Sequence, residues 1–132
     1  MNVSHDFSGW VIKYGKASIN GLLYKQDSLA SSDGITVPLL WNHNHNDSQS
    51  VLGRAYIENR EEGVYVYCTL IDYAYSKFIE EIVRDGNSIY LSMYITQVKY
   101  SDKFVTHGYI KEISLTPMRI DPDDDYRPMW KD

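Results

Sequence analysis

The segment Val64-Tyr-Val-Tyr-Cys-Thr-Leu-Ile71 is the clearest indication of the fold. Its β-branched and aromatic residues suit a pleated strand, and apolar side chains occur on both of its faces, so both sides can be covered. A second strand is expected from Val51 to Ile57, and Asn59-Arg-Glu-Glu-Gly63 has the composition of a turn. The two strands are therefore predicted to form a hairpin within a β-rich fold.

Downstream of this hairpin, one segment has helical periodicity. Its apolar residues recur at the i, i+3, i+4, i+7 and i+8 spacing of a single helix face, and they are Tyr75, Phe78, Ile79, Ile82 and Val83. Asp72 is placed to cap the start of this helix, and Gly86 is placed to end it. Two longer strands are predicted after it, at 88 to 100 and 104 to 115, separated by a turn at 101 to 103.

The two ends of the chain are less regular. Strands are predicted at 10 to 14, at 19 to 24 and at 35 to 41. Pro38 lacks a backbone donor, so the third of these strands should lie at an edge, start at the proline or contain a bulge. Residues 118 to 132 have little periodicity and are expected to form a surface or partly disordered tail on a single 132-residue domain.

The composition indicates a globular protein with a mainly β fold and some α-helix (α+β), since 12 of the 132 residues are tyrosines, which favour strands. A net charge of -5 with scattered basic residues argues against nucleic acid as a partner. No apolar run approaches the roughly 20 residues of a membrane span, so we expect no membrane association and a cytoplasmic protein.

The acidic run at 121 to 125 is predicted to be solvated, because it lacks the pattern of a calcium loop. Cys68, the single cysteine, is expected to be a buried thiol.

Candidates for chemistry begin with the two histidines of Trp41-Asn-His-Asn-His-Asn46. An imidazole transfers protons near neutral pH, so either histidine could be a general base. The His-x-His pair could instead bind a metal, although no further ligands stand at the usual spacing, or it could lie in a solvated loop. Ser92 and Glu112 fall in predicted strands, where a serine is most often polar filler and a carboxylate is solvent-facing or paired with a cation. The residues alone leave these alternatives open.

Five ordered segments resemble the motifs of phage prohead (head maturation) proteases. The segments are Val37-Pro-Leu-Leu-Trp-Asn-His43 followed by Leu52-Gly53, Glu62-Gly-Val-Tyr-Val-Tyr-Cys-Thr-Leu70, Val83-Arg-Asp-Gly86, Ser88-Ile-Tyr-Leu-Ser-Met-Tyr-Ile95 and Lys111-Glu-Ile-Ser-Leu-Thr-Pro117. Each motif alone is weak evidence for the family. Their specificity comes from their order and spacing, which match the family from about residue 9 to residue 117.

The resemblance implies a serine endopeptidase with His43 as general base, Ser92 as nucleophile and Glu112 as third triad member. It also implies a β-barrel flanked by one or more helices, as in herpesvirus assemblins, and chemistry without a cofactor or metal. The implied partners are phage capsid and scaffold precursor proteins inside the assembling procapsid, in the cytoplasm of the bacterial host, with homo-oligomerisation left open. His107 is a rival third member, because assemblins use a second histidine. Arg119 is a candidate for assisting the oxyanion, by loose analogy to a basic residue after the last catalytic strand of assemblins.

The chain departs from the family pattern at two places. Tyr94 stands where the family usually has a glycine, and a ring this close to Ser92 could narrow the substrate cleft or mark a divergent branch. The Pro-Ala pair that often follows the last motif is replaced by Thr116-Pro-Met118. An inactive head-assembly or scaffold-like protein that keeps the protease fold is therefore the second interpretation, and a His-x-His metal protein is the third.

Overall fold

Strands dominate the computed structural model of the protein, which describes residues 4–17, 21–44, 50–71, 73–85, 89–117 and 124–131. The strands are β1 (Phe7–Lys13), β2 (Leu23–Tyr24), β3 (Thr36–Trp41), β4 (Val51–Arg60), β5 (Gly63–Leu70), β6 (Ile89–Ser101), β7 (Phe104–Pro117) and β8 (Met129–Trp130). Within the described ranges there is one α-helix, α1 (Tyr73–Asp85), and two short 3₁₀ turns, Ala30–Ser32 and Asp124–Tyr126. With 59% of the residues in strands, the predicted mainly β class is confirmed.

All eight strands belong to one sheet that curls into a half-barrel. Its order is β2-β7-β3-β4-β5-β1-β8, and β6 pairs with β7. The predicted hairpin is confirmed, because β4 and β5 pair antiparallel along their length, ending at Arg60 opposite Gly63. The second predicted strand pair is confirmed as well, since β6 and β7 are antiparallel from Ile89 opposite Pro117 to Ser101 opposite Phe104.

Strand β3 joins the two hairpins, because it is antiparallel to β4 and parallel to β7. The parallel ladder to β7 starts only at Leu39, one residue after Pro38, and the ladder to β4 shifts register between Leu39 and Leu40. Of the three alternatives predicted for the strand with Pro38, the bulge is supported, whereas β3 lies between β7 and β4 and not at an edge, and it begins at Thr36 and not at the proline. The end of β3 lies beside the C-terminal half of β7, with Trp41 opposite Leu115.

Glycine 53 of β4 lies where the sheet leaves no room for a side chain. A Cβ atom at Gly53 would overlap the backbone carbonyl of Thr69 on β5 and would lie 3.0 Å from Leu70 Cα. The glycine of the motif that follows His43 in the sequence therefore has a packing role, since it allows β4 and β5 to approach closely.

Helix α1 matches the predicted periodicity only in part. Ile79 and Val83 are buried, whereas Phe78 is 57% exposed, so the prediction that Phe78 belongs to the buried face is wrong. Successive helical residues are about 100° apart, and Phe78 is rotated by that angle from Ile79, away from the core. The predicted cap Asp72 and stop Gly86 lie outside the described residues. No helix in the described ranges is both long and apolar enough to cross a membrane.

The N-terminal strands differ from prediction in their bounds. β1 begins at Phe7, a fully buried residue, and not at Trp10, because Ser8 and Gly9 pair with β5 despite their low strand propensity. The strand predicted at 19 to 24 is reduced to the two residues of β2, since Gly21 has a φ of 84° that interrupts extended backbone. Residues 19 and 20 of that prediction lie outside the described residues.

The described part of the C-terminal segment, residues 124–131, is not a surface tail. Tyr126 is only 2% exposed, and β8 pairs with β1 through Phe7 opposite Trp130 and Ser8 opposite Met129. A two-residue strand has no periodicity, so the sequence pattern could not indicate it. Residues 118 to 123 lie outside the described residues.

The prediction of a solvated acidic run needs correction at its last residue. The carboxylate of Asp125 forms ion pairs with Lys13 and Lys16, so this side chain is paired with cations from the N-terminal part of the chain. The pairing follows from the docking of the neighbouring Tyr126 into the core, which brings Asp125 to the end of β1. Asp121 and the two residues after it are not described.

The single cysteine lies in the core as expected. Cys68 of β5 is completely buried between its neighbours Phe7 on β1 and Ala55 on β4. Burial, reinforced by the negative charge of Asp6, raises the pKa of the Cys68 thiol. The thiol therefore stays protonated and unreactive in the folded protein.

Candidate active site

The position of His43 follows from the end of β3. Asn42 N donates a hydrogen bond to Leu115 O at 2.8 Å, which extends the parallel pairing of β3 and β7 by one residue. The chain then reverses in a tight turn, because Asn44 N donates to Trp41 O at 3.2 Å. Asn42 and His43 have φ values of 52° and 55°, as expected for the central residues of a type I′ turn. The turn places the His43 side chain over the β6–β7 pair.

The register of β6 and β7 places the other two candidate residues on one face of the sheet. Ser92 lies opposite Ser114, and Tyr94 lies opposite Glu112. Directly opposite residues of an antiparallel pair share a face, and residues two apart on one strand do so as well. Ser92 and Glu112 are therefore diagonal neighbours on the face that His43 covers.

The imidazole of His43 lies between these two side chains. Its Nε2 atom is 2.9 Å from Ser92 Oγ, and its Nδ1 atom is 3.1 Å from Glu112 Oε1. A carboxylate can only accept hydrogen bonds, so Nδ1 carries the proton and Nε2 is free to accept the hydroxyl hydrogen of Ser92. This is the tautomer that a general base next to a serine needs.

Burial differs along this chain of hydrogen bonds. Glu112 is only 5% exposed, whereas Ser92 is half-buried and a quarter of the His43 side chain, 26%, is exposed. The carboxylate is thus shielded from water, which strengthens its interaction with a protonated imidazole. The serine hydroxyl remains within reach of a ligand that approaches from solvent. The arrangement can deprotonate Ser92 and stabilise the imidazolium that results.

The rival candidates lie elsewhere. His107 is exposed, pairs with Lys99 on β6, and has its Nδ1 atom 3.3 Å from Thr106 Oγ1. The Nδ1 atom of His43, which a third triad member would contact, lies beside Glu112. His45 and Arg119 lie outside the described residues. In the described part of the chain, no group of three or more His, Cys, Asp or Glu side chains is arranged to hold a metal ion.

Ser114 belongs to the site but is not among the residues that the sequence singled out for chemistry. Its side chain is completely buried, and its Oγ atom accepts a hydrogen bond from His43 N at 2.8 Å. The available signal was its position in the last motif, two residues after Glu112 and therefore on the same strand face. Ser50, also buried, donates to Asn44 O at 2.6 Å and so holds the other end of the turn.

Tyr94 stands beside the hydrogen-bonded residues. It follows Ser92 by two residues on β6, lies opposite Glu112, and is 42% exposed. Its side chain is therefore on the solvent-accessible part of the face that bears Ser92. A peptide that reaches the Ser92 hydroxyl along β6 would pass this ring.

Comparisons with protein families, with curated proteins and with solved structures find no match to this chain.

Proposed function

We propose that the protein is a serine endopeptidase in which Ser92 is the nucleophile, His43 is the general base and Glu112 orients the imidazole. The observation that carries this proposal is the hydrogen-bonded chain from Ser92 Oγ through His43 to Glu112, with distances of 2.9 Å and 3.1 Å. The three residues come from β6, the turn after β3, and β7. The ordered motifs of the sequence single out the same three residues, which is a second and separate line of support.

The proposed reaction is an acyl transfer through a covalent intermediate. Ser92 Oγ attacks the carbonyl carbon of the scissile peptide bond while His43 Nε2 takes the hydroxyl proton. Glu112 stabilises the imidazolium, which then gives its proton to the amine that leaves. A water molecule repeats these steps on the acyl-enzyme and releases Ser92, so the cycle requires no metal or organic cofactor.

We further propose phage capsid and scaffold precursor proteins as the substrates, cut within the procapsid in the bacterial cytoplasm. This part rests on the resemblance of the five motifs to prohead proteases. The curled half-barrel with one described helix is compatible with the α+β class, and an assemblin-like barrel is part of this proposal. Association of two or more copies is part of the same proposal.

The experiment is to incubate the purified protein with its cognate capsid and scaffold precursor proteins and to identify the products by mass spectrometry. We expect discrete fragments from at least one precursor, and an unchanged rate in the presence of EDTA, since no step uses a metal. An inactive head-assembly protein would leave both precursors intact. Loss of cleavage with EDTA would favour the His-x-His metal interpretation.

A further inference from the structure

We propose that Ser114 is a positioning residue, whose buried hydroxyl fixes the backbone of His43 in the left-handed turn that holds the imidazole between Ser92 and Glu112. The inference rests on the proposed peptidase function for its catalytic consequence. The contact itself is independent of that function, because it joins Ser114 Oγ to the backbone amide of His43 at 2.8 Å.

The turn that bears His43 needs such a contact. Two consecutive non-glycine residues, Asn42 and His43, have positive φ values of 52° and 55°. The left-handed region is unfavourable for residues with a side chain, although asparagine and histidine are among those that enter it most often. A conformation of this kind persists when the surrounding structure over-determines it. The direction of the imidazole depends on it, because a change of φ at residue 43 would turn the side chain away from Ser92.

The backbone amides of this turn donate three described hydrogen bonds, in addition to the bond that Asn44 O accepts from Ser50. Two of them join backbone atoms, from Asn42 N to Leu115 O and from Asn44 N to Trp41 O. These two bonds use backbone atoms only, so they can form in this turn whatever the side chains are. The third, from His43 N to Ser114 Oγ, requires a hydroxyl at one position of β7. Without it the partly buried His43 amide would lose its acceptor, which disfavours the observed conformation.

The place of Ser114 in the sheet couples this bond to the reacting groups. Ser114 lies directly opposite Ser92, and Glu112 precedes it by two residues on the same strand. Strand β7 therefore holds His43 at two points, through the Glu112 carboxylate at Nδ1 and through the Ser114 hydroxyl at the backbone. Both holding groups are buried, so one rigid strand sets the distance between the imidazole and Ser92.

Strand β7 also forms a second hydrogen bond between a buried serine hydroxyl and a backbone amide, away from the reacting groups. Ser32 is completely buried, like Ser114, and its Oγ atom accepts a hydrogen bond from Ile110 N of β7 at 2.9 Å. Replacement of Ser32 by alanine removes the same kind of bond from the same strand without touching the turn at His43. Ser32→Ala is therefore the control for a loss of activity that comes only from a disturbed structure.

The test compares wild type, Ser114→Ala, Ser114→Cys and Ser32→Ala. By NMR, we expect the His43 amide to lose its protection from hydrogen exchange and the Nδ1 proton signal to broaden in Ser114→Ala but not in Ser32→Ala. For precursor cleavage, we expect kcat to fall by about 10²-fold in Ser114→Ala with KM unchanged, as for a misplaced catalytic group. Ser114→Cys, which is nearly isosteric and a weaker acceptor, should show the same changes to a smaller extent.

A protected His43 amide in Ser114→Ala would overturn the proposal, as would a loss of kcat in Ser32→Ala equal to that in Ser114→Ala. If Ser114→Ala does not fold, Ser114→Cys is judged by the same criteria. If the wild-type protein cleaves no precursor, the proposed function fails, and the amide and imidazole signals alone decide whether Ser114 positions His43.

Discussion

Replacement of Ser92 by alanine is expected to lower kcat for precursor cleavage by about 10⁶-fold, the scale observed when the nucleophile of a serine peptidase is removed. The reason is that Ser92 Oγ lies 2.9 Å from His43 Nε2, and alanine at this position has no oxygen that could attack the substrate. His43→Ala should lower kcat by about the same factor, because an alcohol without its base is a poor nucleophile. The double variant should be no slower than either single variant, since the residues act as a unit.

The measurement is single-turnover cleavage of a precursor protein, with Ser8→Ala as the control. Ser8 is also a strand serine whose hydroxyl is bonded to another side chain, Tyr65 Oη at 2.9 Å, but it lies on β1. Ser8→Ala should therefore cleave like wild type. A Ser92→Ala variant that keeps wild-type kcat would show that Ser92 is a polar strand residue and no more.

Replacement of Glu112 by glutamine is expected to lower kcat by about 10⁴-fold, the effect of the corresponding change in a Ser-His-Asp triad. The buried glutamine amide can donate a hydrogen bond to Nδ1 of His43, which moves the imidazole proton to Nε2. In that tautomer Nε2 cannot accept the proton of Ser92. Because glutamine has the size of glutamate and no charge to bury, we expect the fold to survive the change.

The matched variant for this prediction is His107→Ala, which removes the rival third member. His107 is exposed and lies at the far end of β7 from Ser114, so its loss should leave kcat within about two-fold of wild type, as is usual for an exposed residue. Steady-state kinetics of both variants decide whether Glu112 or His107 is the third triad member. Full activity in Glu112→Gln together with loss of activity in His107→Ala would reverse the assignment.

The sequence predicted the parts of the fold that depend on neighbours along the chain. The hairpins of β4 with β5 and β6 with β7 join strands through short turns, so period-two patterns and turn residues suffice to find them. The parallel pairing of β3 with β7 was not predicted, because it joins segments about 70 residues apart and has no local signature. The same holds for β8 and the burial of Tyr126, whose short segment becomes ordered only by packing on β1.

The candidate site was predicted from motif order and not from residue chemistry. On residue types alone, Ser92 is a polar strand residue, and His43 and His45 are equivalent. The position after the Pro-Leu-Leu strand distinguishes His43, and the structure brings that histidine to Ser92 and Glu112. Ser114 could not be assigned, because its hydrogen bond depends on the positive φ of Asn42 and His43, and the enrichment of these residue types at positive φ is too weak to specify that geometry.

The central claim, a working Ser92–His43–Glu112 unit, is tested most directly by reaction with a serine-directed fluorophosphonate and peptide mapping by mass spectrometry. The reagent adds only to a hydroxyl that a neighbouring base activates. We expect one adduct, on Ser92, in the folded wild-type protein and none in His43→Ala or in the unfolded chain. A folded, assembled wild-type protein without an adduct on Ser92, or equal labelling of His43→Ala, would contradict the account.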